Sequence, residues 1–257
     1  MKLSIITINY NNVVGLKETI KSVVSQTFSD FEYIIIDGLS NDGSQNVIAE
    51  FKNQISYSVS ESDSGIYNAM NKGIMIAKGE YIYFLNSGDV FSSKTILQKI
   101  LDNSNNEDFI FGGIQKRYIK RAINEYPPKK LSYGHLLRFG INHQATFSKR
   151  NLYAEYGLFD EKFKIVADWC FLLISICKYN VSYVVIDEIV SIYEPYGISS
   201  SSTELIKKEK ELFIKKEFPL FEEDYKRLFK LNRITPQGFL FAFKGLLKIF
   251  ANKLKFD

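Results

Sequence analysis

Residues 65–91 read GIYNAMNKGIMIAKGEYIYFLNSGDVF. The first fifteen repeat apolar side chains at helical spacing and stop at Gly79, a residue that suits a helix end. EYIYFL has the length and aromatic content of a buried strand. NSGD then forms a polar turn whose one charge is Asp89. A helix feeding a buried strand that ends in polar residues is the repeating piece of an α/β sheet.

The residues upstream repeat it. LSIITI is a first strand, with Asn11 and Asn12 as candidate caps for a helix carrying Leu16, Ile20, Val23 and Val24. FEYIIID is a second strand, GLSNDGS a loop of turn formers, and Ser44 starts a helix through Phe51. ISYSV is a third strand and EYIYFL the fourth. This alternation predicts a parallel, right-handed, doubly wound sheet. Such sheets bind ligands at the carboxyl ends of their strands, where the strand order reverses. Asn9–Asn12, Asp37–Ser44 and Asn86–Asp89 would all meet on that edge.

Downstream the pattern loosens. DFIFGGIQKRYIK reads as a strand pair, PPKKLSYGHLL as a turn entering a short helix, DWCFLLISICKY as a buried helix and VSYVVID as a strand. A helix beginning near Ser92 is expected after the Asp89 turn. YGISSSST is the expected boundary between a domain of residues 1–202 and an extension of residues 203–257.

Composition narrows the class. With 257 residues, 46% hydrophobic and 24% charged, the chain suits one large α/β domain or two small ones. A net charge of +4 is too mild to argue for nucleic acid. From Ser201 onward 13 Lys and Arg face 8 Asp and Glu, so the first 200 residues sum to −1 and the positive charge is assigned to the C-terminus. Cys170 and Cys177 read as free thiols in a reduced compartment. MKLSIITINYNN reads as a first strand rather than a signal peptide, and no run reaches the ~18 apolar residues of a membrane span. A cytoplasmic protein is expected. In PQGFLFAFKGLLKIFANKLKF, Phe239, Phe243, Leu246, Phe250 and Leu254 share one helical face, with Lys244, Lys248 and Lys255 opposite. Such a helix suits peripheral contact with a membrane surface, the body of the protein, or a second subunit in an oligomer.

Familiar motifs are absent. The sequence has no G-x-G-x-x-G after the first strand, no G-x-x-x-x-G-K-[ST] and no G-x-S-x-G, and His135 and His143 have no C-x-x-C partners. Carboxylates, amides and hydroxyls remain on the sheet edge. That set suits a diphosphate bridged by Mg²⁺ or Mn²⁺, which binds through one or two carboxylates plus substrate phosphates.

SIITINYNN, LKETIKSVVSQTF, YIIIDGLSNDGS, AMNKGIMIAKGEYIYFLNSGD and GLFDEKFKIVADW, in that order over about the first 200 residues, resemble family 2 inverting glycosyltransferases of bacterial cell-surface polysaccharide biosynthesis. The resemblance implies a GT-A fold: a Rossmann-like, mostly parallel sheet with flanking helices, here with a C-terminal helical extension. Residues 1–115 would take a nucleotide-sugar donor, UDP-linked, and residues 116–202 a polysaccharide or lipid-linked glycan acceptor. Thr7 and Tyr10 would line the nucleotide pocket, Asp37 would accept from the base, and Asp42 would brace its loop or meet the ribose. Asp63, Asn71, Asn86, Ser87 and Gly88 would also lie on the donor side. Asp89 would hold the divalent metal, more weakly than in the family because Asn86 and Gly88 replace its acids, and Met70 stands where an arginine is common. Asp168 would be the general base, made more basic by the neighbouring tryptophan, with His143, Gln144 and Trp169 around the acceptor. The residues alone also permit helix-capping roles for Asp89 and Asp168, core packing for Trp169, and a non-catalytic sugar-binding member of the fold. A sugar-1-phosphate nucleotidyltransferase would want a glycine- and basic-rich loop, which TINYNNVVG lacks.

Overall fold

A computed structural model describes residues 1–196 and 202–231. The amphipathic stretch expected over residues 236–257 lies outside the described residues, as do residues 197–201 of the Gly/Ser loop. The chain divides into two compact units, Met1–Lys210 and Glu211–Asp257.

The first unit is built on one sheet. β1 (Leu3–Asn9), β2 (Phe31–Asp37), β3 (Tyr57–Ser60) and β4 (Tyr81–Phe84) run parallel in the order β3-β2-β1-β4. Three helices connect them: α1 (Val13–Val24), α2 (Ser44–Glu50) and α3 (Ile66–Ile76). The chain steps outward from β1 to β3 and returns to the other side of β1, so the order reverses between β1 and β4. The parallel α/β core expected from sequence is therefore present.

Beyond β4 the sheet becomes mixed. β5 (Val90–Phe91) and α4 (Ile96–Asp102) come next, then β6 (Phe109–Tyr118) and β7 (Arg121–Glu125), which form an antiparallel hairpin. α5 (Tyr133–Arg138), β8 (Thr146–Lys149), α6 (Asn151–Tyr156), α7 (Ala167–Leu173) and β9 (Tyr183–Tyr193) complete the unit's sheet and its cover. The path continues β4-β8-β6-β9-β5, with β6 and β9 parallel and the other pairs antiparallel. No helix follows directly after Asp89. Val90 and Phe91 pair with Ile192 and Ser191 of β9, and α4 begins only at Ile96. The helix read over residues 168–179 is α7 prolonged by wider π turns over Ile174–Lys178. Its N-cap is Val166, so Asp168 sits in the first turn instead of capping it. Cys170 and Cys177 are free.

Every residue of β1 is buried because both faces are covered, which explains its unbroken apolar run. Two of the polar exceptions are fully paired: Ser4 Oγ donates to Glu32 at 2.6 Å and Thr7 Oγ1 to the Leu85 carbonyl at 2.8 Å, while Asn9 donates through Nδ2 to Asp37 and leaves its Oδ1 without a partner. Gly79 has a different reason from the helix end expected of it. α3 closes at Ala77, and a Cβ on Gly79 would lie 2.5 Å from the backbone of Leu3 and Ser4. Only glycine lets the chain enter β4 so close to β1.

α8 (Thr203–Glu217) crosses the division between the units, and α9 (Glu222–Leu231) lies in the second. Lys226 of α9 pairs with Glu222 at 2.8 Å one turn away. No helix among the described residues is long and apolar enough to cross a membrane.

Candidate active site

The ends of β1, β2 and β3 carry a polar network centred on Asp37. Its Oδ1 accepts from Asn9 Nδ2 at 2.7 Å and Ser40 Oγ at 2.6 Å, and its Oδ2 from the Ser40 N–H at 3.0 Å and Ser60 Oγ at 2.5 Å. A carboxylate offers about four acceptor sites. All four are taken, so Asp37 as it stands fixes the loop and has none left for a base N–H. Asp42 does brace its loop: it accepts from Ser44 Oγ and from the Val13 and Ser44 N–H groups, joining the starts of α1 and α2. The Ser44 bond, against slight desolvation, holds its carboxyl below the usual range.

Tyr10, 70% exposed, stands at the end of β1. A Cβ on Gly38 would lie 2.7 Å from Asp63 Oδ2 and 3.1 Å from the Tyr10 ring, so these three residues share one shelf. Thr7 does not join them. It is fully buried, with its hydroxyl between Tyr33 and Leu85, because β1 is covered on both faces. Asn71 is likewise buried, donating to the Phe159 carbonyl at 2.9 Å and to Glu161 at 3.0 Å while accepting from the Phe159 N–H. It holds the 159–161 loop and is not free to reach a donor.

The turn after β4 is clamped to α1. Asn12 Nδ2 donates to the Ser87 carbonyl, and Ser87 Oγ returns to the Asn12 carbonyl. Thr19 Oγ1 accepts the Gly88 N–H at 2.9 Å and donates to the Asp89 carbonyl at 2.8 Å. Gly88 has φ 102°, which a side chain would resist. Asp89 is only 9% exposed. Burial pushes its carboxyl up to about 7, against the opposing pull of His143 and of a Gln144 hydrogen bond. A group raised in this way contributes stability below its unfolded pKa and loses it as pH rises through about 7. Asp89→Asn is therefore expected to leave thermal stability unchanged near pH 4 and to raise it at pH 8, by at most roughly 4 kcal/mol. Melting curves at the two pH values check this; equal shifts at both would refute it.

Four side chains are linked across this edge. Asn86 Nδ2 lies 3.1 Å from His143 Nε2, His143 Nδ1 lies 3.2 Å from Asp168 Oδ2, and Tyr67 OH donates to Asp168 Oδ1 at 2.8 Å. The His143 and Asp168 side chains remain about one quarter exposed, at 26% and 25%. Burial lowers the His143 pKa, but the hydrogen bond and charge of Asp168, with the charge of Asp89, outweigh it and raise the imidazole above its usual value. Burial raises Asp168, and His143, Tyr67 and the Trp169 N–H outweigh that and hold its carboxyl low. The expected boost to Asp168 basicity from its tryptophan neighbour is not found. Trp169 is buried, its Nε1 donates to the Leu136 carbonyl at 2.7 Å, and Lys210 Nζ lies 4.4 Å from the ring centroid. It packs inside the first unit and shows no face for a sugar. Gln144 contributes its carbonyl to Tyr83 and Ser191, both at 2.5 Å. A cavity of about 30 Å³, walled by Phe84, Phe159, Phe171 and Leu172, touches His143 and Asp168. It has room for little more than a water molecule.

Tyr67 was not singled out from sequence. In GIYNAM it reads as one more core aromatic, and only its hydroxyl distinguishes it from phenylalanine. Among the described residues no group of three or more His, Cys, Asp or Glu could hold a metal ion. A cation here would need oxygens from its substrate. Asn86 Oδ1, buried and without a partner, and the Asp89 carboxylate are the hard-oxygen donors that fit one.

Comparison with known proteins gives a consistent picture. The family model described as Glycosyl transferase family 2 matches residues 4–171. A Mycobacterium tuberculosis protein described as an uncharacterized glycosyltransferase is 32% identical over 179 residues, 66% of this chain and 67% of its own. Staphylococcus aureus TarP, a poly(ribitol-phosphate) β-N-acetylglucosaminyltransferase, is 36% identical over 135 residues, 48% of this chain and 41% of TarP. The crystal structure of S. aureus TarS 1–349 with UDP-GlcNAc aligns at a TM-score of 0.67 and 18% identity, covering 89% of this chain and 70% of that one. That likeness is one of fold.

Proposed function

This chain belongs to glycosyl transferase family 2, and from that premise we propose that it moves a sugar, with inversion, from a UDP-linked donor to a hydroxyl of a polysaccharide or lipid-linked glycan. Residues 1–115 take the donor and residues 116–202 the acceptor. The observation that carries the reading is the hydrogen-bonded chain Asn86–His143–Asp168–Tyr67, which joins the turn after β4 to the first turn of α7. The UDP-GlcNAc bound by TarS and the poly(ribitol-phosphate) in the name of TarP support the substrate classes. The same reading sets the enzyme in the cytoplasm.

In this mechanism Asp168 takes the proton of the acceptor hydroxyl. The acceptor oxygen bonds to the anomeric carbon as the opposite carbon–oxygen bond breaks, and the electron pair leaves on the nucleoside diphosphate. His143 and Tyr67 hold the carboxylate in place and ionised. The Tyr10 ring, beside Gly38 and Asp63, offers a face to the nucleobase. Asp89 and Asn86 would hold the divalent cation, which when bound stabilises charge on the leaving diphosphate.

Calorimetry with UDP, GDP, CDP and dTDP, with and without Mn²⁺, tests the donor side. UDP is expected to bind selectively and more tightly with Mn²⁺, and Asp89→Ala to weaken the Mn²⁺-dependent binding by about tenfold or more. Failure to bind any of the four diphosphates would end the transferase reading. It would favour the non-catalytic member suggested by Asn86 and Gly88.

A further inference from the structure

Residues 116–138 hold seven lysines and arginines and one acid, Glu125. That is a net of +6 in a chain whose total is +4, so all other residues together sum to −2. Lys116 neutralises Glu125 at 2.7 Å. The remaining six, Arg117, Lys120, Arg121, Lys129, Lys130 and Arg138, are exposed. None of them has an ion pair among the described residues. The nearest uncompensated acid along the adjoining strand is Glu194, just past the end of β9.

The cations are interleaved with rings. Arg121 lies 5.2 Å over Tyr118, Tyr118 meets Tyr196 edge-on, and Arg138 lies 4.8 Å over Phe139. A guanidinium stacked on a ring keeps its N–H edges free for oxyanions. Tyr126, Phe139 and Tyr196 are themselves exposed. The hairpin also begins beside the candidate site. Lys116 of β6 is in register with Tyr193 of β9, and the preceding Ile192 pairs with Val90, which follows Asp89. Burial and the charges of Glu125 and Asp89 push the Tyr193 phenol up, so this ring feels both the hairpin and the acid turn.

We propose that the β6–β7 hairpin and the segment through Arg138 are the docking surface for a polyanionic acceptor, a glycan chain bearing a negative charge on each repeat and running outward from the transfer site. The word acceptor rests on the transferase reading; binding of the polyanion does not. An anionic membrane is the competing occupant, since Ile119 at the hairpin tip is 91% exposed. The chain is favoured because exposed cations continue in sequence past the hairpin, through Lys129 and Lys130 to Arg138, and because the strand register sets the base of the hairpin two strands from the acid turn, where a membrane contact would concentrate at the tip.

The test uses the full chain, with inorganic polyphosphate as the polyanion, dextran as a neutral glycan, phosphatidylglycerol vesicles as the membrane, and UDP binding measured in parallel. Polyphosphate is expected to bind and dextran not. The pair Arg117→Glu with Arg121→Glu should weaken polyphosphate about tenfold, and leave UDP affinity unchanged. The pair Lys52→Glu with Lys94→Glu, the same charge change elsewhere on the surface, should have little effect. If the glutamate pair fails to fold, Arg117→Gln with Arg121→Gln decides, with a several-fold loss expected. Retained polyphosphate affinity, an equal loss in the control pair, or a loss confined to vesicles would overturn the proposal. Absence of UDP binding in the unmodified protein would defeat the transferase reading and leave the polyphosphate result to judge the surface separately.

Discussion

Asp168→Asn is expected to lower kcat by about a thousandfold while leaving UDP affinity unchanged. Asparagine keeps the size of the side chain and an oxygen for the Tyr67 hydroxyl, so the fold around α7 should persist. What would disappear is the charge proposed to take the acceptor's proton. Because Asp168 is held below the ordinary carboxylate range, it stays ionised well into acid. A fall in wild-type kcat/KM between pH 8 and 6 therefore points away from Asp168 and to Asp89 or His143, whose values are raised, or to Lys210, whose amine burial pushes down to about 8. His143→Gln should cost less than Asp168→Asn and should shift the pH profile, since in the proposed mechanism His143 positions the carboxylate and does not receive the proton from substrate. Transfer at near wild-type rate in Asp168→Asn, measured by UDP release in the presence of acceptor, would remove Asp168 from the role of base.

The second large effect is structural. Asp37→Ala is expected to destabilise the protein by about 3 to 5 kcal/mol, because it leaves four donors at the ends of three strands without their acceptor. In a protein of this size that corresponds to a drop in Tm of roughly 10 °C. Asp37→Asn should fall between the two, since its amide group meets donors where the carboxylate met them with oxygen. Denaturant titration measures the loss. A change below about 1 kcal/mol would mean that Asn9, Ser40 and Ser60 find other partners and that the network is not what holds this edge.

The sequence is most legible where local periodicity and long-range packing demand the same residues. β1, β2 and β4 were readable because each is a near-continuous apolar run, β3 because YSVS alternates between β-formers and serines, and the helices between them because their apolar residues recur at a period near 3.6. The gathering of Asn9, Asp37 and Asn86–Asp89 on one edge followed from that order. Burial was harder to read. Thr7 and Asn71 are polar residues at positions matching a known family, but their hydroxyl and amide are consumed by Leu85, Tyr33 and the 159–161 loop, partners far away in sequence. Trp169 adjoins Asp168 in the chain yet turns to Leu136 and Lys210. Gly79 looked like a helix stop and is instead a point where two backbones nearly touch. The charge of residues 116–138 was hidden by averaging: it vanishes into the −1 of the first 200 residues and emerges only when the segment is taken by itself and six of its seven cations prove exposed.

Trp169 is the single tryptophan of the chain, and its ring is enclosed one residue from Asp168. Its emission therefore serves as an unlabelled optical reporter for the start of α7. Folded protein should emit toward the blue and unfolded protein toward the red. A ligand that alters the packing of Leu136 or Lys210 around the indole would then announce itself in stopped-flow fluorescence, before any product is formed.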